Sequence, residues 1–398
     1  MSTPHVRLVD DRPELTAALD AVADLDPIAV DVERADGERY WRAAALVQVG
    51  GDRRVVLVDP LRIDDLSALQ RFLARRTVVL HAMENDLVPL AAAGVVPPHV
   101  EDTAVAAAVL GLPTGLGALH ERLLGVELAN DKEAMQRADW EARPLSEEML
   151  SYAADDVAHL PEVWQRLREE LQATGRWDWY VEERDTERAQ PSVEARRSWT
   201  RLKGTGRLDP MARGRARALW QAREELAKTS DTAPSRIVSD KVLVSLAKDP
   251  PRSPRELGRR GVRRQSARRF GDELVAALDA AVEQPLERRA ERRVTDADRE
   301  AAERLRVIRA EVADELGIDA GVLCPSRTLL GGVLADPASG EELRAALGLR
   351  RWQWGLLGPR FCEALGLAEE GTADGAGATP ASDSPERGAD RREEHADG

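Results

Sequence analysis

The residues best equipped for chemistry are four carboxylates and a phenol, at three places in the first 160 residues. Asp31 and Glu33 flank Val32 in Ile28-Ala29-Val30-Asp31-Val32-Glu33. On a strand, residues i and i+2 share a face, so both acids leave the same side of an apolar ribbon. Asp86 closes His81-Ala82-Met83-Glu84-Asn85-Asp86, between an apolar run and a helical pattern. Tyr152 and Asp156, in Tyr152-Ala153-Ala154-Asp155-Asp156, are four apart and share a helical face. Each piece alone has a plain structural reading: a polar strand end, a first-turn carboxylate favoured by the helix dipole, and a tyrosine packed on a sheet. His81 reads as a strand-end residue satisfying backbone groups rather than as a metal ligand. Taken together, carboxylates without His or Cys ligands select hard divalent cations, Mg2+ or Mn2+, over zinc. Two such ions about 4 Å apart clamp the attacking and leaving oxygens of a phosphoryl transfer. The phenol can hold the attacking water.

The surrounding pattern supplies elements to carry these groups. Residues 28–33, 43–49, 55–58 and 77–81 are short apolar or alternating runs bounded by turn-formers and predict strands. Residues 65–75, 84–93, 103–110 and 115–124 have helical spacing, broken by Gly94, Pro97-Pro98 and Gly111-Pro113. Ser146-Glu147-Glu148-Met149 has the form of an N-cap with an acidic first turn and predicts a helix running to about 172. From there to 209 the chain is aromatic and charged and reads as a connector. Beyond it the expected helices are 211–228, 239–247, 254–260, 265–282, 295–315, 325–334, 340–347 and 351–366.

In order, on these elements, Asp-x-Glu, then Asp, then Tyr-x-x-x-Asp resemble the DEDDy 3′→5′ exonucleases. His81-Ala82 with Asp86-Leu87 resembles the second motif of the ribonuclease D family. Asp102-Thr103 with Ala106-Ala107 and Gly111 resembles its next helix. Asp131-Lys132, Asp139-Trp140, Arg143-Pro144-Leu145 and Tyr152 to Asp156 resemble its third-motif block. The resemblance covers about residues 20–200. It implies an RNase H-like fold, a mixed sheet flanked by helices. It also implies roles. Asp31 would bridge two metal ions, and Glu33 and Asp156 would complete metal A, the ion that generates the hydroxide. Asp86 would hold metal B, partly through water, and Tyr152 would orient the nucleophile. RNA would lose 5′ mononucleotides from its 3′ end. Lys132, Gln136 and Arg143 are candidates for phosphate or terminal-nucleotide contact. Where many relatives carry an apolar residue after the first-motif Glu, this chain has Arg34, which implies an altered terminal-base preference.

The whole chain has 398 residues, 43% hydrophobic, 32% charged, with two cysteines and a net charge of -14. That excludes a fully disordered chain and a disulfide framework. No stretch of 18 apolar residues exists to span a membrane, and Met1 to Arg7 lacks a signal-peptide pattern, so the expected setting is cytoplasmic. The charge is unevenly spread. Residues 1–199 sum to -15, 200–285 to +8, 286–368 to -1 and 369–398 to -6. Arginine outnumbers lysine 52 to 5, a bias that itself reflects a GC-rich coding sequence.

The basic segment and the one after it resemble HRDC domains, the helical module shared by RecQ-type helicases and ribonuclease D. The first carries Ala218-Leu219-Trp220, Pro234-Ser235-Arg236-Ile237 and Asp240-Lys241-Val242-Leu243; the second carries Pro325-Ser326, Leu329-Leu330 and Trp352 to Trp354. The expected division is therefore an exonuclease domain with connector (1–200), a basic RNA-binding HRDC-like domain (209–285), a divergent second copy (293–368) and a disordered acidic tail (369–398). The fold class is α/β followed by two all-α modules. Arg259, Arg260, Arg263, Arg264, Arg268 and Arg269 would grip RNA phosphates. The second copy would be structural and close a ring with the catalytic domain. Trp220 and Trp352 read as core rather than as base-stacking platforms. The expected protein is a monomeric exoribonuclease with two Mg2+ or Mn2+ ions, acting in tRNA or other stable-RNA 3′ maturation. Its rivals are a DNA exonuclease of the helicase-linked type, an endonuclease on the same fold and an inactive RNA-binding scaffold.

Overall fold

The computed structural model describes residues 4–35, 38–126, 132–135, 138–190, 197–285 and 294–368; the acidic tail lies outside them. The first part is built on six strands: β1 (His5–Val9), β2 (Ile28–Arg34), β3 (Ala44–Gly51), β4 (Arg54–Val58), β5 (Thr77–Leu80) and β6 (His99–Asp102). They form one mixed sheet in the order β1-β4-β3-β2-β5-β6. β2 lies inside it, antiparallel to β3 and parallel to β5. Strand alternation gives the sheet two apolar faces. Val30 and Val32 join the core beneath α1 (Arg12–Asp20), α2 (Ser67–Leu73) and α3 (Leu87–Ala92). Ala29 joins the opposite core. There pack α4 (Thr103–Leu110), α5 (Leu116–Leu124), α7 (Glu147–Ala158), α8 (Leu160–Ala173) and α9 (Trp177–Arg188), the short α6 (Lys132–Met135) preceding α7.

Three local expectations are corrected. The helix expected over 146–172 is two, parted at His159. Pro161 has no N–H for the carbonyl four residues back, and its ring clashes there, so the helix restarts. The connector contains α9, whose sequence has little apolar period because Tyr180 is its one buried residue. That helix is held by packing, with Tyr180 and Trp177 against Trp164. The helix expected over 84–93 is a one-turn 3-10 helix, Met83–Asn85, followed by α3. β1 and β6 have no counterpart among the expected strands. Both are short and run along the sheet edges, with polar residues on them.

The rest is helical, in two blocks with separate cores. The first has α10 (Pro210–Ser230), α11 (Pro234–Ile237), α12 (Asp240–Lys248), α13 (Pro254–Arg259) and α14 (Arg264–Asp279). The second has α15 (Asp296–Leu316), α16 (Ala320–Leu323), α17 (Ser326–Leu334), α18 (Gly340–Leu347) and α19 (Arg351–Leu365). Among the described residues no helix is long and apolar enough to cross a membrane.

Both blocks dock on the sheet domain. Tyr40, from the β2–β3 connection, is 4% exposed within the first block's core, under the Arg197 guanidinium at 4.8 Å. The Asp231 carboxylate accepts from the N–H groups of Tyr40 (3.2 Å) and Trp41 (3.1 Å). The second block docks on α9, where Trp352 stacks on Trp179 at 4.9 Å and donates its indole N–H to Glu183. The Glu182 carboxylate accepts from the N–H groups of Arg351 and Trp352, two orphan donors at the start of α19. At the end of α4, Gly111 has φ +75°, and a Cβ there would lie 1.9 Å from the Gly317 carbonyl oxygen. Only glycine permits both that backbone and that approach.

Candidate active site

Asp31 and Glu33 follow Ala29 in strand alternation, so they point to the face covered by α7. The helix comes close to the sheet because its inward residues are small. Ala153, Ala154 and Ala158 are fully buried with Val157 between them. One turn of α7 then presents Tyr152 and Asp156 over the strand. Carboxylate oxygens of Asp31, Glu33 and Asp156 lie within 4.8 Å of one another. The Tyr152 hydroxyl hydrogen-bonds Asp156, and its ring lies 6.2 Å from that of Trp140.

Asp86 arrives from the other side of β2. After β5 the chain turns at Ala82, held at φ 60°, ψ 61°. That left-handed backbone costs a non-glycine residue about 1 kcal/mol. The 3-10 turn follows, and Asp86 caps it with 3% exposure. Asp86 stands at the start of α3, but its side chain makes no capping hydrogen bond there.

The electrostatics are those of a partly buried cluster of acids that repel one another. Burial, then Asp31 and Asp156, push the Glu33 carboxyl up to about 9; Arg34 opposes them. Burial pushes Asp86 well above the carboxylate range, and Asp31 and Asp102 add to it. Burial, Asp156 and Glu33 hold the Tyr152 phenol above its ordinary value, so it keeps its proton. The Asp86 Oδ2 atom is buried with no hydrogen-bond partner. Such an oxygen is costly to bury. Hard divalent cations fit this donor set: they bind carboxylate oxygens and reverse the repulsion that keeps the acids protonated.

The other sequence candidates fare unequally. Lys132 is the first residue of α6, and Gln136 lies outside the described residues. Arg143 is corrected from a phosphate contact to a structural residue. Its Nε and Nη2 donate to Asp59 at 2.6 and 2.9 Å, Nη1 to the Trp140 and Ala142 carbonyls, and Nη2 also to that of Ala45. All five donors of the guanidinium are spent. Arg260 is paired with Asp249. Arg259, Arg264 and Arg268 are exposed. Arg263 and Arg269 line a cleft of about 590 Å³ with Glu38, Arg39 and Arg236, where the first helical block meets the loop beyond β2. His81 is satisfied, its Nδ1 2.9 Å from the Thr103 hydroxyl. Trp352 is 7% exposed and Trp220 packs on the first block's core. Tyr40, Asp231 and Asp102 have roles in the fold that no motif in the sequence assigned to them. For Asp102 a signal was present, an Asp directly before an apolar helical run, which marks an N-cap.

Comparison with known proteins agrees with this arrangement. A 3′-5′ exonuclease family model matches residues 6–172, and an HRDC domain model matches twice, at 212–278 and 298–365. The ribonuclease D of Sphingobium indicum is 34% identical over 285 residues, 68% of this chain and 72% of that protein. That of Xanthomonas oryzae pv. oryzae is 31% identical over 346 residues, 80% and 90% of the two chains. In fold, the chain is similar to the crystal structure of Escherichia coli RNase D, with a TM-score of 0.71 over 92% of this chain and 24% identity. A protein from Bifidobacterium adolescentis gives 0.72 over 91% at 23% identity. By its exonuclease domain, its paired HRDC modules and its likeness to these relatives along most of its length, the chain belongs to the ribonuclease D family of 3′→5′ exoribonucleases.

Proposed function

We propose that this chain hydrolyses the last phosphodiester bond at an RNA 3′ end, with two Mg2+ or Mn2+ ions, and releases nucleoside 5′-monophosphates one at a time. The observation that carries the reading is the convergence of Asp31, Glu33 and Asp156 within 4.8 Å, with Tyr152 on Asp156 and an unpartnered Asp86 oxygen alongside. Asp31, clustered with Glu33 and Asp156 and close enough to Asp86 to raise its carboxyl, would be shared between the two ions. The ions would supply Lewis-acid stabilisation of charge on the attacking and leaving oxygens. Tyr152 stays protonated, donates its O–H to Asp156 in a hydrogen bond and keeps lone pairs to accept from the attacking water. That bond turns the water oxygen toward phosphorus. The new P–O bond forms as the bond to the 3′-oxygen of the penultimate nucleotide breaks; the water gives up a proton to bulk solvent, and the leaving oxygen takes one from solvent to restore a 3′-hydroxyl.

The residues 1–200 would then be the catalytic unit and 209–285 the module that holds the RNA body. Arg263 and Arg269 support that path, because their cleft adjoins the loop leading out of β2. The second module, 293–368, would brace the catalytic unit through α9. The biological substrates would be tRNA precursors or other stable RNAs with single-stranded 3′ ends, processed in the cytoplasm by a monomer. The E. coli relative is described as an exoribonuclease involved in structured RNA processing.

The test is a gel assay on 5′-labelled RNA and DNA oligomers with single-stranded 3′ ends, with Mg2+, Mn2+ or EDTA, using wild type and Asp31→Ala. The expected result is a metal-dependent ladder shortening from the 3′ end of RNA and no ladder from the variant. Shortening of DNA alone would move the activity to the helicase-linked type. Binding of RNA without shortening would identify a scaffold.

A further inference from the structure

We infer that Asp102 is a positioning residue for Asp86, setting the second metal site without touching metal or RNA itself. The role rests on the two-metal reading above. Asp102 ends β6, paired with Leu80 at the end of β5, and is 1% exposed. Its Oδ1 accepts from the N–H groups of Ala104 (2.7 Å) and Val105 (3.1 Å), an ordinary N-cap of α4. The same carboxylate also accepts from Ala82 N–H (3.2 Å) and Met83 N–H (2.7 Å), in the turn that carries Asp86. Capping α4 requires only the first pair. The second pair secures the left-handed backbone at Ala82, which a non-glycine residue keeps only where its surroundings enforce it.

From that anchor the link to Asp86 is short and stiff. Asn85 N–H donates to the Ala82 carbonyl (3.0 Å) and Asp86 N–H to that of Met83 (3.1 Å). The Asp86 Oδ2 atom has no partner of its own to fix it. Its place is therefore set through the backbone turn, and the turn is set by Asp102. Asp102 is itself pinned. Its N–H donates to the Tyr180 hydroxyl (2.9 Å), which donates to Glu101 (2.5 Å). Tyr180 lies on α9, the helix on which the second module docks, so the clamp reaches that module as well.

The experiment measures Mn2+ binding to the full chain by calorimetry, with no RNA and no turnover, for wild type, Asp102→Asn, Asp86→Asn and the double variant. The amide at 102 keeps the side-chain shape but loses an acceptor oxygen and turns an NH2 toward backbone donors. The expected result is that folded Asp102→Asn weakens, about ten-fold, the Mn2+ binding that Asp86→Asn removes, and adds no loss in the Asp86→Asn background. An unchanged isotherm in Asp102→Asn, or a further loss in the double variant, overturns the role. If wild type binds no Mn2+, the two-metal reading itself fails. Should Asp102→Asn not fold, Tyr180→Phe decides, since it leaves all four carboxylate bonds and removes only the pin. A two-fold or greater weakening supports the clamp, and wild-type affinity overturns it.

Discussion

Arg143 and Asp59 form a bidentate ion pair at the end of β4, with the acid 1% and the arginine side chain 18% exposed. Three backbone carbonyls take the remaining donors, so this arginine locks the segment before α7 to the sheet. Removing one partner of a buried, hydrogen-bonded pair leaves the other charged and unpaired. Arg143→Ala should destabilise the protein by about 3–5 kcal/mol, and Arg143→Lys should not rescue it, because an ammonium cannot reproduce the planar fork. Denaturant unfolding checks the loss. RNA affinity of the folded fraction should stay near wild type; a fall in affinity without a fall in stability would return Arg143 to the phosphate path.

The contrast between Arg143 and the acids shows what was legible in the chain. Asp31, Glu33, Tyr152 and Asp156 could be placed because strand and helix periods alone bring each pair to one face. Their convergence depends on α7 lying close to β2, and the small residues Ala153 and Ala154 are the written sign of that. The donors of Arg143 could not be read, since Asp59 is 84 residues away and its partners are carbonyls, which every residue carries. The docking of Tyr40 into the first helical block was hidden for the same reason. Likewise α9 lacks an amphipathic period because Tyr180 is its one buried residue, and the aromatics it packs on, Trp164 and Trp352, lie in other helices.

The exposed arginines of the first helical block should declare themselves through salt. In EDTA, so that RNA is not consumed, the affinity of wild type for a single-stranded oligomer should fall steeply with salt. Each arginine that neutralises a phosphate contributes about 0.7 to the slope of log affinity against log salt. Arg263→Glu with Arg269→Glu should lower both affinity and slope. Arg260→Glu should act mainly on stability, because its guanidinium already belongs to Asp249. Adding Arg259→Glu and Arg264→Glu should deepen the loss; an unchanged slope in the combined variant would remove this block from the RNA path.

His120 gives the fold an acid limit. It is fully buried, neither ring nitrogen has a partner, and its ring lies 6.2 Å from that of His159. Burial first, then His159 and His81, pull its pKa down to about 4 from an ordinary 6.5. The folded state therefore holds the neutral ring. Its contribution is complete above pH 6.5 and is lost as the pH falls toward 4. The slope from this group approaches about 1.4 kcal/mol per pH unit. His120→Leu should flatten the stability profile over that window, measured by denaturant midpoints, and leave activity at pH 8 near wild type. A variant profile parallel to wild type would assign the acid sensitivity elsewhere.

Glu33 should impose the opposite slope. Its carboxyl is raised from 4.5 to about 9 by burial and by Asp31 and Asp156, so the metal-free fold favours the protonated form. That contribution is present below pH 4.5 and disappears as the pH rises through 9, because the unfolded chain releases the proton first. Metal-free wild type should lose stability across this range, and Glu33→Gln should lose less, by up to about 1.4 kcal/mol per pH unit. A divalent cation binds the same carboxylates and competes with the proton. Saturating Mn2+ should therefore raise the melting temperature of wild type more at pH 8 than at pH 6, and that of Glu33→Gln much less at either. The substitution should at the same time abolish exonuclease activity, so a site that destabilises the empty protein is the one that works when loaded. Equal Mn2+ stabilisation of wild type and Glu33→Gln would show that this carboxylate is not among the ligands.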